Sequence, residues 1–311
     1  MGAFASLIDI KFDEYQEPVL VFKLEEPGTK QKLALDHGTL NSVAHDMINH
    51  LVNDIIVMGA SPLAVQDLIV CGKLKDEIIT PLVKAMSEAC ENNDCNLVGG
   101  ETSEQPGVVD DDIHVLGASI VGVVEKNKII DGQKIRNGDM LVAFGSNGLH
   151  TNGYSLVRRM IEQDPQIIDE QIEGERFIDI VLRPHLTYYP LLKELLSKNV
   201  FNGLAHITGG GIEGNLSRVM PDGLTAEVDL RKVKTLPIFS FIKEKGNIAD
   251  EEMLRTFNVG VGMIAVISPY DFLNLSKLED TDIQIYDIGI VKKSEGDQPK
   301  VSFTENLNWS N

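Results

Sequence analysis

Two rhythms of apolar and polar positions run along the chain, one of strand length and one of helix length. Pro18 to Leu24 (PVLVFKL) is a short apolar run closed by Glu25-Glu26-Pro27-Gly28, which predicts a strand ending in a turn. Leu40 to Met58 repeats apolar residues at helical spacing, with Asn41 or Ser42 as N-cap and Gly59 as the stop. Strands are predicted at Val65–Val70 and Ile113–Val124. A helix is predicted over Lys73–Asn92. Asn96–Val98 reads as a short strand running into a glycine segment, Gly99-Gly100-Glu101-Thr102. Beyond a polar linker at Glu125–Asn127, strands are predicted at Asp139–Phe144, at Gly260–Ile267 and at Ile283–Val291, and Ala205–Gly211 reads as a strand end running into a glycine loop. Helices are predicted at Gly153–Glu162, Leu186–Leu196, Ile212–Val219, Ile238–Lys245 and Tyr270–Leu278, with Gln163–Glu175 as an exposed acidic loop. This mixture is an α/β pattern of the α+β type, in two domains, residues 1–126 and 127–311.

The Leu40–Met58 helix carries an unusual stripe. Asp46, Asn49, His50, Asn53 and Asp54 recur at three-, four- and eight-residue spacings, which puts them on one face. Such a stripe is either the solvent side of an amphipathic helix or the lining of a cavity. It holds no Lys, Arg or Glu, the usual solvent-facing residues. Carboxylates beside amides suit a hard cation such as Mg2+ carrying a nucleotide phosphate.

Charge narrows the function classes. The chain has 47 Asp plus Glu against 28 Lys plus Arg, and no basic cluster that could track a phosphate backbone, which argues against a nucleic-acid partner. No apolar run approaches the roughly 18 residues of a membrane span. The opening residues show no basic region followed by an apolar stretch. With three cysteines (Cys71, Cys90, Cys95) and no Cys-x-x-Cys pair, the expectation is a cytoplasmic protein with reduced thiols.

Three glycine segments follow or adjoin predicted strands: Gly28-Thr29-Lys30, Gly99-Gly100-Glu101-Thr102 and Thr208-Gly209-Gly210-Gly211. Each alone is a plain turn; together they point to phosphate handling through backbone N–H groups. None is a Walker A sequence, and no GxGxxG follows the first strand. His150-Thr151-Asn152-Gly153-Tyr154-Ser155 sits at a strand-to-helix junction, either an anion site or an ordinary N-cap and turn. His206, before the triple glycine, is either a structural histidine or a catalyst. Neither a G-x-S-x-G elbow nor an H-E-x-x-H helix is present.

Six strings carry a resemblance: LVNDIIVMGASPL, LVGGETSEQPG, SIVGVVEKNKIIDG, GLHTNGYSLVR, AHITGGGIEGNL and MLRTFNVGVGM. In this order, and from about Pro18 to Val291, the chain resembles the aminoimidazole ribonucleotide synthetase (phosphoribosylformylglycinamidine cyclo-ligase) family. The resemblance implies a two-domain ATP-binding synthetase fold whose N-terminal sheet completes a barrel in a homodimer. It implies a ligase of de novo purine biosynthesis acting on a small phosphoribosyl substrate. ATP phosphorylates the formyl amide oxygen of formylglycinamidine ribonucleotide, the amidine attacks the activated carbon, and ADP and phosphate are released. The cofactors implied are ATP and Mg2+. By the same resemblance, Glu25, Asp46 and Asp54 hold the metal. Thr29, Lys30, Asn53, Glu101, Thr102, Asn152, Gly153, Tyr154, Ser155, Thr208, Gly209, Gly210 and Gly211 meet ATP or phosphate. His206 and Lys30 are the catalytic groups.

The chain departs from the family's usual strings in places. The first phosphate turn, commonly D-G-V-G-T-K, is Glu25-Glu26-Pro27-Gly28-Thr29-Lys30. The acidic position before the long strand is His114. The P-T-R-I-Y run is Pro184-His185-Leu186-Thr187-Tyr188. Met1-Gly2-Ala3-Phe4-Ala5 falls near an internal G-F-G-A-L segment. Two alternatives to the cyclo-ligase accompany these changes: a small-molecule kinase or synthetase of the same superfamily, and a catalytically weakened dimeric paralogue with a binding or regulatory role.

Overall fold

The structure, a computed structural model, describes residues 5–8, 12–275 and 282–309. It divides into two compact units, Met1–Ile129 and Ile130–Asn311. The boundary lies three residues after the one expected, because Glu125 ends a strand and Lys126–Lys128 form a 3-10 turn.

The N-terminal unit runs β1 (Pro18–Glu25), α1 (Lys30–Asp36), α2 (Leu40–Ile56), β2 (Ser61–Cys71), α3 (Asp76–Glu91), β3 (Asn96–Glu104) and β4 (His114–Glu125). Its four strands lie in the order β1-β4-β2-β3, with β4 antiparallel to both neighbours and β2 parallel to β3. Helix α2 packs on β1, β4 and β2, and α3 packs on α2 and β3. Burial follows: Val43, Met47, Ile48, Leu51, Val52 and Ile55 of α2 are fully enclosed on the sheet face that carries Ile120 of β4 and Val65 and Ile69 of β2. The opposite sheet face is open. Leu20 is 44%, Phe22 73%, Leu24 72% and Leu68 44% exposed.

Three expectations for this unit are corrected. Gly99-Gly100-Glu101-Thr102 is not a loop; it lies inside β3, where Gly99 (φ +143) marks the register shift opposite Val65 and Gln66. Strand β2 is longer than Val65–Val70, since both its neighbours are strands and supply pairing along its length. Helix α1 was not expected: it buries only Lys30, Leu33 and Ala34, too few positions to display a period.

The C-terminal unit runs β5 (Met140–Gly145), α4 (Tyr154–Gln163), β6 (Gln171–Ile172), β7 (Glu175–Arg176), α5 (Phe177–Val181), α6 (Tyr189–Ser197), β8 (Phe201–His206), α7 (Gly211–Leu216), β9 (Leu224–Asp229), α8 (Pro237–Gly246), α9 (Asp250–Thr256), β10 (Val261–Ile267), α10 (Pro269–Leu275), β11 (Ile285–Lys293) and β12 (Val301–Thr304). Six of the strands form one sheet, β12-β9-β11-β5-β10-β8, while β6 and β7 pair separately. Strand β10 is buried at every position, which fits its place between β5 and β8. The supposed acidic loop at Gln163–Glu175 instead folds as a 3-10 turn, Pro165–Asp169, and the β6–β7 hairpin, anchored by buried Ile167 and Ile172. Helix α6 starts at Tyr189 rather than Leu186, with Pro190 in its first turn. The end of the helix expected at Tyr270–Leu278 lies outside the described residues.

Candidate active site

In the N-terminal unit the polar stripe of α2 points inward. Asp46 and Asn53 are fully buried and Asn49 and His50 nearly so, which removes the solvent-face reading. Asn49 Oδ1 accepts from Asn93 Nδ2 at 3.0 Å, tying α2 to the end of α3. Lys30 and Asp46 form a fully buried ion pair, Nζ to Oδ1 at 2.8 Å. Burial pulls the Lys30 ammonium below its usual range, and the Asp46 charge and hydrogen bond oppose that shift. The structure therefore directs the expected catalytic lysine at the expected metal ligand.

Glu25 and Asp54 are brought together by a residue the sequence reading passed over. Lys23 Nζ lies 2.8 Å from Glu25 Oε1 and 3.0 Å from Asp54 Oδ2, and His50 Nε2 lies 3.6 Å from the same Asp54 oxygen. Partial burial lowers the Lys23 pKa, but hydrogen bonds and charge from the two carboxylates more than offset it, so the net direction is upward. Gly28, at φ +65, turns the chain from β1 towards α1, and Thr29 takes the N-cap position of α1.

Glu101 lines a cavity of about 730 Å3 with Leu24, Gln66, Asp67, Gly100 and Ser119. Thr102 lies opposite Ile69 on the same edge strand. Asp67 is a second residue missed in the sequence. Burial pushes its carboxyl above the usual carboxylate range. Its signal is the glycine beside it: a Cβ on Gly100 would stand 2.4 Å from Asp67 Oδ1 and 2.3 Å from its carbonyl oxygen.

In the C-terminal unit two of the expected phosphate segments meet. A Cβ on Gly209 would stand 3.1 Å from Asn152 Oδ1, so the amide of the His150–Ser155 run lies directly against the triple-glycine loop. Gly153, at φ +83, precedes α4, and a Cβ there would strike Phe257 Cε1 at 2.0 Å. Tyr154 does not face this junction; it is buried, with its hydroxyl donating to the Val181 carbonyl. Ser155 is exposed in the first turn of α4.

The loop itself is held from within. Asn215 Nδ2 donates to the carbonyls of Thr208 (3.2 Å), Gly209 (3.2 Å) and Gly211 (2.8 Å). The Gly210 and Gly211 amides donate to Arg255 O and Thr208 O, so neither is the phosphate donor expected. Their left-handed backbone, φ +96 and +62, sets the loop's shape instead. A cavity of about 570 Å3 beside it is lined by Gly210, Glu213, Arg255 and Lys300, the two cations pairing with Glu252 and Asp222 respectively. Asn258 braces the adjoining corner: its Oδ1 accepts from Ser146 Oγ (3.0 Å) and Gly260 N (2.9 Å), and its Nδ2 donates to Gly148 O (2.9 Å). Val259 follows at φ +46, a costly conformation for a β-branched residue that this network holds in place. Asn215 and Asn258 stand in the strings AHITGGGIEGNL and MLRTFNVGVGM, and their signal is an asparagine amid glycines.

His206 ends β8, 5% exposed, with its Nε2 2.9 Å from His185 Nε2.

The sequence as a whole decides the family. The AIR synthase related protein N-terminal domain matches residues 7–124, and the C-terminal domain of the same description matches residues 136–302. The chain belongs to the AIR synthase related protein family. Within it, the chain is 40% identical over 303 residues to a phosphoribosylformylglycinamidine cyclo-ligase of Burkholderia pseudomallei (strain 1710b), covering 97% of this chain and 86% of that one. A cyclo-ligase of the same name from Methylobacillus flagellatus is 39% identical over 293 residues, covering 94% and 84%. Solved structures share the fold at low identity. A thiamine-monophosphate kinase from Stenotrophomonas maltophilia K279a has a TM-score of 0.68 at 15% identity, covering 94% of this chain and 87% of that one. The hydrogenase maturation protein HypE in complex with ATP has a TM-score of 0.69 at 15% identity, covering 97% and 84%. Among the described residues no helix is long and apolar enough to cross a membrane.

Proposed function

We propose that this AIR synthase related chain is a phosphoribosylformylglycinamidine cyclo-ligase, converting formylglycinamidine ribonucleotide and ATP to aminoimidazole ribonucleotide, ADP and phosphate. The observation that carries this reading is 40% identity, over 97% of the chain, to relatives of that name. The work of such an enzyme is positioning and charge neutralisation at a phosphoryl group in flight. Asn152 and the Asn215-braced loop position a phosphate, with Arg255 and Lys300 nearby to neutralise it. His206 is the group for moving the amidine proton as the ring closes. Glu101, in the cavity with Leu24 and Asp67, is the carboxylate the N-terminal unit offers towards ATP, whereas Asn53 is fully enclosed in α2. The test is ADP release against a substrate panel. Turnover with formylglycinamidine ribonucleotide and none with thiamine phosphate is expected; the reverse pattern defeats the reading.

Mg2+ fits one place in the N-terminal unit. Glu25 Oε1 and Asp54 Oδ2 converge on a single ammonium, so two hard oxygen donors already face one point that demands positive charge. Bound there, the ion supplies charge neutralisation of the nucleotide phosphates. Lys23 competes for that point, and this also favours the second reading, a weakened paralogue whose own lysine stands in for the metal. Lys23→Ala separates the two. In a working cyclo-ligase the half-saturating Mg2+ concentration falls several-fold, because a like charge leaves the site. A higher Mg2+ requirement would count against metal binding at Glu25 and Asp54.

A homodimer is part of the proposal. Leu20, Phe22, Leu24 and Leu68 form an exposed apolar strip on the open face of the N-terminal sheet. Light scattering should give about twice the 34.2 kDa chain mass. Phe22→Asp should yield a folded monomer, since it places a charge within that strip. A variant that remains dimeric would move the interface elsewhere.

A further inference from the structure

Two cysteines meet where α3 gives way to β3. Cys90 lies in the last turn of α3, and Cys95 directly precedes β3. The backbone between them closes on itself. The Cys95 amide donates to the Cys90 carbonyl at 3.1 Å, and inside that loop the Asp94 amide donates to the Glu91 carbonyl, also at 3.1 Å. Asp94 takes the left-handed conformation, φ +53, that this helix stop requires. Nested bonds of this kind bring the side chains of the first and sixth residues together, usually as an apolar contact. Here both side chains are thiols.

The main-chain bond between the two residues holds their Cα atoms in the short range that a disulfide spans, about 4.4–6.8 Å. Cys95 Sγ lies 3.5 Å from the Cys90 carbonyl oxygen, and the two thiols share a hydrogen bond. That bond, together with burial, raises the Cys90 thiol above its usual range, and it outweighs burial to lower Cys95. Cys95 is also the more accessible of the two, 5% exposed against 1%. Cys71 stands apart in β2, its Sγ directed at the Ser103 carbonyl. Between the paired cysteines, buried Asn93 donates from Nδ2 to Asn49 Oδ1 of α2 at 3.0 Å and to Ala89 O at 2.8 Å. The same corner therefore ties α3 to the polar stripe of α2.

We propose that Cys90 and Cys95 are a redox-modifiable pair, which a peroxide converts to a disulfide across the end of α3. The Cys95 thiolate attacks one peroxide oxygen, the O–O bond breaks, and the departing hydroxide takes a proton to become water, leaving a sulfenic acid on Cys95. The Cys90 sulfur then gives up its proton and attacks Cys95 Sγ. The S–S bond forms, the S–O bond breaks, and the second oxygen leaves as water. Two thiols are oxidised by two electrons, and one peroxide is reduced to two waters. Hydrogen peroxide is small enough for so enclosed a pair, and a dithiol reductant reverses the step. The closed form fixes the turn that carries Asn93 against α2.

The test treats the folded full chain with hydrogen peroxide, then alkylates free thiols and digests with trypsin. No Lys or Arg lies between Lys84 and Lys126, so both cysteines fall on one peptide, 85–126, and Cys71 on another. That peptide is expected unalkylated and lighter by two hydrogens than its dithiol form, and a dithiol reductant should restore two alkylatable thiols. Cys71→Ser should give the same product. In Cys90→Ser the Cys95 sulfenic acid should instead persist long enough for capture by dimedone. Amide exchange at Asp94 and Cys95 should slow by at least about tenfold in the oxidised wild-type chain, because the turn no longer opens. Two alkylated thiols after peroxide, a bridge to Cys71, or a bridge formed only in urea overturns the proposal, whether or not the variants fold.

Discussion

Lys30→Met is expected to cost about 3–5 kcal/mol of stability, the usual penalty for leaving one member of a buried ion pair without its partner. Both side chains are fully enclosed, and the pair joins the first residue of α1 to the middle of α2. Asp46→Leu should behave similarly, because it strands the ammonium. The double variant Lys30→Met/Asp46→Leu should recover most of the loss, since apolar residues of similar size can replace a buried pair at little cost. Urea unfolding of the four proteins measures this. Single variants within about 1 kcal/mol of wild type would show that the pair is not formed or not buried, and would return Lys30 to the phosphate-binding role expected of a lysine after a glycine turn.

Gly211→Ala is expected to lower kcat/KM for ATP consumption by at least about 100-fold, the scale on which a misplacement of about 1 Å acts in a positioned site. A Cβ at Gly211 would lie 1.8 Å from the Leu254 carbonyl oxygen, and its φ of +62 disfavours any side chain. The backbone must shift, taking with it the Gly211 carbonyl that holds Asn215. Gly214→Ala is the control, since a Cβ there meets nothing within 4 Å. Equal activity of the two variants would remove the loop from the catalytic apparatus.

These two positions mark the limit of what the sequence made legible. Long segments announced themselves: α2 from its helical spacing, β4 and β10 from long, mostly apolar runs. The triple-glycine loop was visible because glycine at a strand end has few uses. Its mechanism was not, because the Gly210 and Gly211 amides are spent on loop closure and the shape depends on Asn215, several residues on. Lys30 could not be read as buried, since its enclosure depends on a carboxylate sixteen positions away. Lys23 was hidden as the one polar residue of the apolar run Pro18–Leu24, and only the approach of α2 sets it between Glu25 and Asp54. Gly99–Thr102 misled because glycines inside an edge strand carry the composition of a turn. The contact between His185 and His206 was invisible for a related reason: the two stand apart in sequence and are joined only by the packing around β8.

The central claim, that ATP activates the formyl oxygen for ring closure, has a direct measurement. Formylglycinamidine ribonucleotide labelled with 18O in its formyl group is turned over with unlabelled ATP in ordinary water, and the inorganic phosphate is analysed by mass spectrometry. If the formyl oxygen is phosphorylated and leaves as the amidine nitrogen closes the ring, each phosphate released carries one 18O, in step with the aminoimidazole product. Unlabelled phosphate, formed by attack of water on ATP, would contradict the account.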